Sequence, residues 1–127
     1  MRYLLDTHVI IWLAENSPKL PLKVKELVQH PVNDVFISSA SLWEITIKMK
    51  LGKLDINFTL DELLEAIEDR DFGILQIENS YLKGLYALPF LHKDPFDRLL
   101  ISTAISEKLT IVTIDENIQK YSISWAW

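Results

Sequence analysis

The segment RYLLDTHVIIW, residues 2–12, contains two apolar runs that meet at an acid. The first run is short enough for a buried strand, and the second, residues 7–16, has the length and spacing of a helix that ends before Ser17 and Pro18. Asp6 lies at the junction between them. Strand, acid and helix in this order form the unit from which the rest of the chain can be interpreted.

The alternation of strands and helices continues along the chain. The predicted helices cover residues 21–30, 40–52, 59–71, 79–87, 95–108 and 116–121, and the predicted strands cover residues 34–39, 72–77, 109–115 and 123–127. Strands that alternate with helices favour parallel pairing. We therefore expect a three-layer α/β/α fold with a mostly parallel central sheet.

Length and composition predict one ordered domain that spans residues 1–127. Hydrophobic residues make up 49% of the chain and charged residues 24%, a balance typical of globular rather than disordered proteins. No segment reaches the roughly 20 apolar residues needed to cross a bilayer, and no cleavage site follows the first apolar run. We expect a cytoplasmic protein with no membrane partner.

The absence of cysteine excludes disulfides, thiolate zinc sites and cysteine nucleophiles. Any metal must be held by oxygen or imidazole, and the three histidines lack the i, i+4 pairing of a zinc site. The formal net charge of -5, taken alone, argues against a nucleic-acid partner. That argument is weak, because acids dedicated to metal ions would make the bare protein acidic and the loaded site positive.

Four acids occupy positions that point to a shared site. Asp6 and Asp115 end two predicted strands, and parallel sheets bind ligands beyond that edge. Asp97 lies on the apolar stripe of a helix that would begin at the same edge. Glu44 belongs to a stripe predicted to face inward, whose other members are Ala40, Trp43, Ile47 and Leu51. Converging carboxylates must share protons or bind cations, because like charges at close range cannot all stay ionised.

Each of these acids also has a structural interpretation, and the sequence leaves it open. Asp6 and Asp115 could cap the helices that follow them, and Asp97 could complement a helix dipole. Glu44 could complete a capping box with Ser41.

Several other polar and aromatic residues are explained by packing or solvation. Asp94 precedes a proline, and capping the next helix accounts for it. Lys48, Lys50 and Lys53 form either a solvated helix face or a strip that follows substrate phosphates. We expect His92 to be a loop residue or an outer contact of the site, and the four tryptophans to pack in the core and at its edges.

Four stretches in series carry a resemblance to a known family. They are YLLDTHVIIW at 3–12, SSASLWEITIKMKLGKL at 38–54, HKDPFDRLLISTA at 92–104 and IVTIDENI at 111–118. In order and spacing the sequence resembles the PIN-domain ribonucleases and, within them, the VapC-like toxins of bacterial toxin-antitoxin pairs.

The resemblance implies a PIN-like fold and an acidic active site. The family's catalytic and metal-binding acids fall on Asp6, Glu44, Asp97 and Asp115, with Asp94 and Thr113 as accessory residues. Hard oxygen ligands favour Mg²⁺ or Mn²⁺, and one or two ions would activate a water and stabilise the leaving 3′-oxygen of RNA. The implied products carry 5′-phosphate and 3′-hydroxyl ends. Candidate phosphate contacts are Arg98, Lys93 and Lys48, although a solvent-facing or ion-paired Arg98 fits the sequence equally well.

The resemblance also implies partners: an RNA substrate, a small antitoxin that blocks the acidic site, and a second copy of the chain in a homodimer. We expect the antitoxin to dock around Trp12, Trp43 and residues 21–28. The alternative function is a nucleic-acid- or partner-binding PIN module with a weak or vestigial site. A phosphatase of the haloacid-dehalogenase kind is disfavoured, because it needs a second aspartate where this chain has His8.

Overall fold

Parallel strands and the helices that connect them make up most of the computed structural model, which describes residues 1–127. The strands are β1 (Arg2–Leu5), β2 (Asp34–Ser38), β3 (Gly73–Leu75), β4 (Thr110–Val112) and β5 (Trp125–Ala126). The helices are α1 (Thr7–Glu15), α2 (Leu22–Gln29), α3 (Ser39–Lys50), α4 (Leu60–Asp69), α5 (Asn79–Ala87), α6 (Pro95–Glu107) and α7 (Glu116–Gln119). Every predicted helix and strand is present, and none of the helices is long and apolar enough to cross a membrane.

The five strands form one sheet in the order β3-β2-β1-β4-β5, and every neighbouring pair is parallel. The chain moves outward from β1 to β2 and β3, then returns to the other side of β1 for β4 and β5. β1 and β4 therefore lie side by side where the strand order reverses. Open α/β sheets bind ligands at the carboxyl ends of the strands at such a point.

Helices cover both faces of the sheet, because successive strand residues point to opposite sides. Tyr3 and Leu5 belong to a core cluster with apolar residues of α1, α2 and α4. Leu4, which lies between them in sequence, belongs to a second cluster with residues of α6 and α7. The expected three-layer architecture is confirmed, and its sheet is parallel throughout.

Polar caps determine where the helices at the carboxyl edge begin. Asp6, Asp94 and Asp115 cap α1, α6 and α7, and Ser38 caps α3. Each side chain accepts a hydrogen bond from a backbone N–H of the first helical turn, which otherwise has no partner. Three acids are thereby fixed at one end of the molecule.

Candidate active site

Asp6 lies at the end of β1, beside β4. Its backbone N–H donates to the carbonyl of Val112 at 3.1 Å, which continues the pairing of the two strands. The residue is only 2% exposed. Its Oδ2 accepts a hydrogen bond from the Thr113 hydroxyl at 2.6 Å, and its Oδ1 accepts the His8 N–H at 3.4 Å as the cap of α1. The capping interpretation is therefore correct, and it coexists with a contact across the two central strands.

Thr113 connects Asp6 to Asp115. Its hydroxyl donates to Asp6 and accepts the backbone N–H of Asp115 at 3.0 Å. Asp115 in turn caps α7 by accepting the N–H of Asn117 at 2.8 Å. The sequence predicted a strand through residue 115, but β4 ends at Val112. The backbone N–H of Thr113 still donates to the Ala126 carbonyl at 3.1 Å, and its hydroxyl holds the segment after β4 against Asp6.

Glu44 reaches the same region from α3. It is buried, and each carboxylate oxygen has its own partner. Oε1 accepts the Thr7 hydroxyl at 2.9 Å, and Oε2 accepts Lys48 Nζ at 2.7 Å. The capping box suggested for Ser41 and Glu44 is wrong, because Ser38 caps the helix and Ser41 lies inside it.

The inward face predicted for α3 is only partly correct. The buried residues of the helix are Ala40, Ser41, Glu44 and Ile45. Trp43 and Leu51 were expected to face inward, but they are 58% and 60% exposed. Trp43 packs edge-on against Phe96 at the surface instead, with 5.4 Å between ring centroids. The polar side of α3 faces inward because Glu44 and Ser41 both meet the Thr7 hydroxyl of α1.

Asp94 and Asp97 lie at the beginning of α6, next to His92 in the preceding loop. Asp94 Oδ1 accepts the N–H groups of Phe96 at 2.9 Å and Asp97 at 3.1 Å, so its capping role is confirmed. Asp97 Oδ2 lies 2.9 Å from His92 Nε2. One potential ligand atom from each of His92, Asp94 and Asp97 lies within 4.8 Å of the other two. This spacing would allow the three side chains to approach one cation.

The ionisation of Asp97 reflects its neighbours. The pKa of Asp97 is raised to about 7, and burial is the largest cause. The negative charges of Asp94, Asp6 and Glu44 contribute to the same increase. The hydrogen bond with His92 acts in the opposite direction, because it favours the ionised form. Carboxylates from β1, α3 and α6 therefore lie close enough to repel one another.

The pKa of Asp6 depends on its burial, its hydrogen bonds and the charge of Asp115. Burial raises the pKa of Asp6 above its ordinary value, and hydrogen bonds from Thr113 and His8 offset part of the shift. The charge of Asp115 raises the same pKa. The residues Asp6, Glu44, Asp94, Asp97 and Asp115 thus form one electrostatic group, which we call the acid cluster. Its oxygen donors suit a hard divalent cation such as Mg²⁺ or Mn²⁺.

Lys48 is the cation held against the acid cluster. Its hydrogen bond to Glu44 raises the pKa of Lys48, and the charges of Glu44, Asp94 and Asp97 act in the same direction. The Lys48 side chain is still 35% exposed, so its ammonium group is accessible from solvent. Its predicted contact with substrate phosphate stays a prediction.

The other two candidate phosphate contacts differ in their surroundings. Lys93 is exposed in the loop before α6, so it remains a candidate contact of substrate phosphate. Arg98 is buried, and its guanidinium is hydrogen-bonded to the Pro89 carbonyl, the Leu88 carbonyl and the Tyr121 hydroxyl. It is neither solvent-facing nor paired with a carboxylate. A phosphate contact by Arg98 has no support in this geometry, because its donors are already used inside the fold.

A cleft of about 240 Å³ opens beside two members of the acid cluster. It is lined by Asp6, His8, Val9, Trp12, Ile114 and Asp115. His8 and Trp12 form an aromatic wall, with 6.0 Å between their ring centroids. The cleft therefore offers an apolar surface directly beside carboxylates.

Of two further contacts of the acid cluster, Thr7 was not assigned from the sequence, whereas His92 was expected as a loop residue or an outer contact and is found as both. Thr7 bonds to Glu44, and its only sequence signal is a hydroxyl next to Asp6. His92 precedes Asp97 by five residues across a proline, a spacing that matches neither helix nor strand periodicity. Only the conformation of the intervening loop brings His92 and Asp97 together.

The fold and the acid cluster define a class: three-layer α/β proteins that gather carboxylates at the carboxyl edge of a parallel sheet. The PIN domain family model matches residues 3–123, so this chain belongs to the PIN-domain family. PIN domains are generally nucleases. No curated protein sequence matches the chain.

Solved structures of the same fold include toxin-antitoxin complexes. VapBC2 from Rickettsia felis, bound to a DNA fragment from its promoter, superposes with a TM-score of 0.74 at 19% identity, covering 99% of this chain and 98% of that one. VapBC from Salmonella typhimurium, also bound to DNA, gives 0.69 at 17% identity, covering 99% and 97%. VapBC-1 from nontypeable Haemophilus influenzae gives 0.65 at 20% identity, covering 99% and 97%. At these identities the similarity establishes the fold.

Proposed function

We propose that this chain is a metal-dependent endoribonuclease and the toxin of a toxin-antitoxin pair. The observation that carries the proposal is the acid cluster, whose members come from separate elements and in which burial and neighbouring acids raise the pKa values of Asp6 and Asp97. A fold gains nothing from packing like charges together unless a cation offsets their repulsion. Membership of the PIN-domain family supports a nuclease as the function that uses such a cation.

In this proposal Asp6, Glu44, Asp97 and Asp115 hold one or two Mg²⁺ or Mn²⁺ ions, and Asp94 is an accessory acid. A bound divalent cation would supply the Lewis acidity for phosphodiester hydrolysis, by favouring ionisation of the attacking water and offsetting charge on the leaving oxygen. Thr113 orients Asp6 through its 2.6 Å hydrogen bond. Lys48 orients Glu44 through a 2.7 Å hydrogen bond to its Oε2.

The proposed substrate is single-stranded or unpaired RNA that enters the cleft beside Asp6 and Asp115. His8 and Trp12 would contact a base or sugar there, since aromatic rings tolerate any nucleotide. Lys93 and Lys48 would meet the phosphates on the other side of the acid cluster. Hydrolysis would leave 5′-phosphate and 3′-hydroxyl ends.

The direct test is cleavage of labelled RNA by the purified chain, with Mg²⁺, with Mn²⁺ and with EDTA. We expect cleavage only with a divalent ion, and ligation-based sequencing should recover 5′-phosphate ends. Cleavage that persists in EDTA would contradict the metal role, and an inactive chain that binds metal would contradict the choice of RNA as substrate.

The proposed partner is a small antitoxin, and the VapBC complexes among the solved structures support this choice. An arginine or lysine of the antitoxin could enter the acid cluster and compete with metal through charge-assisted hydrogen bonds. Trp43 and Leu22 are exposed on α3 and α2, and they supply apolar surface for docking. We further propose a homodimer, as the resemblance implied.

The partner proposal is tested by expressing the chain alone and with the adjacent reading frame. We expect the chain alone to arrest growth and the pair to grow and co-purify. Normal growth and intact RNA with the chain alone, and no co-purifying small protein, would refute the toxin role even if nuclease activity survives in vitro.

One observation favours the second candidate, a binding module with a vestigial site. Lys48 and Thr7 already satisfy both oxygens of Glu44, so this acid needs no metal to be stable. Metal titration followed by calorimetry separates the two functions, because a binding module would show no heat at millimolar Mn²⁺.

A further inference from the structure

Residues 88–92 form a loop that lies between α5 and the beginning of α6, and Tyr121 holds it from behind. The Tyr121 hydroxyl accepts the N–H of Leu91 at 3.1 Å and the N–H of His92 at 3.0 Å. It also accepts Arg98 Nη1 at 3.0 Å. Three donors from two separate segments thus converge on one phenol oxygen.

Arg98 holds the same loop through backbone carbonyls near both of its ends. Nη1 donates to the Pro89 carbonyl at 3.0 Å, and Nη2 donates to the Leu88 carbonyl at 3.3 Å. The Phe90 ring lies 4.4 Å from the guanidinium carbon, which favours the cation further. The loop carbonyls and the Tyr121 hydroxyl therefore surround a buried charge that has no carboxylate partner.

This arrangement determines where the His92 side chain points. Its backbone N–H is bound to Tyr121, and its ring nitrogen Nε2 lies 2.9 Å from Asp97 Oδ2. The His92 carbonyl also accepts Arg98 Nη1 at 3.5 Å, so these backbone contacts and the Asp97 contact together set the place of the ring. Asp97 is a proposed metal ligand, and partners that orient a ligand typically change metal affinity when removed.

We propose that Tyr121 is a positioning residue of the acid cluster, which acts by holding His92 against Asp97. The statement that Tyr121 holds His92 rests on the hydrogen bonds themselves. The consequence for metal binding rests on the proposed function. Tyr121 lies outside all four stretches that carry the family resemblance and more than 20 residues after Asp97, so nothing in the local sequence marks it.

The first measurement follows the His92 ring in the metal-free protein by ¹⁵N NMR. All variants are compared at one fixed pH, and the ring signals are read against reference variants that lack either partner of the contact. His92→Gln assigns the signals by their loss, and Asp97→Asn defines their positions without the carboxylate. We expect Tyr121→Phe to move them toward the Asp97→Asn positions and Tyr86→Phe to leave them in place, since Tyr86 is 96% exposed.

Unmoved His92 signals in a folded Tyr121→Phe variant would overturn the inference. Arg98→Lys provides a second route to the same loop, because lysine keeps the charge but lacks the planar fork with which the guanidinium reaches the loop carbonyls and the Tyr121 hydroxyl. It should move the His92 signals in the same direction if Tyr121→Phe proves too unstable to measure. Failure of both variants to fold would also overturn the inference, since Tyr121 would then be a structural residue.

The second measurement is Mn²⁺ affinity by calorimetry. We expect Tyr121→Phe to weaken binding by about 10-fold. In a His92→Gln background the same substitution should have little further effect, because the intermediary is already gone. A merely structural role would weaken binding equally in both backgrounds. If the parent protein binds no Mn²⁺, the proposed function fails, and the NMR result alone still decides whether Tyr121 positions His92.

Discussion

The two edges of the sheet differ in charge more than in shape. The carboxyl edge holds the acid cluster, and a cleft of about 240 Å³ opens beside two of its members, Asp6 and Asp115. The amino edge has the larger cavity, about 460 Å³, between the beginnings of β2 and β3 and the ends of α2 and α4. Its charged and titratable lining residues are mixed in sign: His30, Asp34, Arg70 and Asp71.

This difference shows that cavity size does not identify the site. Burial and, to a smaller extent, neighbouring acids raise the pKa values of Asp6 and Asp97 at the carboxyl edge, so the fold holds repelling groups together there. The amino edge offers its acids and its bases in similar number, so its charges can offset one another. Like charges kept at close range against their repulsion are the better sign of function.

The largest difference between the two edges is expected when one acid is neutralised at each of them. Asp97→Asn or Asp6→Asn should reduce RNA cleavage by roughly 100-fold or more, because each removes a ligand charge while keeping the side chain's shape. Asp34→Asn at the amino edge should leave the rate unchanged. The measurement is initial cleavage rate at saturating Mn²⁺, and a rate within a few-fold of the parent for either site variant would refute the assignment.

Metal binding should stabilise the protein through the carboxyl edge alone. An ion that binds only the folded state at 100 times its dissociation constant adds about 2.7 kcal/mol, which raises the melting temperature by several degrees. EDTA should reverse the shift. Asp97→Asn should abolish it and Asp34→Asn should retain it, as measured by thermal melts. An equal shift in Asp97→Asn would place the metal elsewhere.

The pH dependence of stability should also trace to the carboxyl edge. The pKa of Asp97 is raised to about 7 in the folded state, so the folded protein binds its proton more tightly than the unfolded chain does. The associated stability is fully present below about pH 4 and is lost as the pH rises to about 7. In EDTA, parent and Asp97→Asn should be similar near pH 4, and the variant should be more stable by about 1–2 kcal/mol near pH 8.

Urea unfolding of the two proteins across this range gives the difference curve. A variant that is less stable than the parent at pH 8 would mean that His92 and other partners more than offset the burial of the Asp97 charge. That result would contradict the interpretation that the ionised Asp97 side chain lowers the stability of the folded protein.

The smallest expected effect concerns substrate charge near the acid cluster. Lys93→Gln should raise KM for RNA by about 2–5-fold with little change in kcat, since a single exposed phosphate contact contributes mainly to binding. Lys19→Gln, an exposed lysine in the connection after α1, is the matched control. An equal effect of both variants would indicate general charge attraction rather than a contact at the site.

Local sequence patterns determined the elements and placed acids at their ends. Alternating strands and helices predicted a parallel sheet, and the helix predicted from residue 59 is present and begins with a capping box of Thr59 and Glu62. These features could be predicted because capping and periodicity depend on neighbours within a few residues. The same logic placed Asp6 and Asp115 at one edge, since parallel strands end on the same side of a sheet.

Only the tertiary structure decided which groups meet at that edge. The strand order put β1 beside β4, and this brought Thr113 within 2.6 Å of Asp6 across more than 100 residues of sequence. Apolar spacing predicted an inward Trp43, but the contact of Glu44 with Thr7 turned the polar side of α3 inward. The sequence position of Arg98 allowed a contact with substrate phosphate. In the structure its guanidinium is instead hydrogen-bonded to loop carbonyls and to the Tyr121 hydroxyl. Such contacts depend on strand order, helix rotation and loop conformation, which are set by packing over the whole chain and not by the spacing of residues along it.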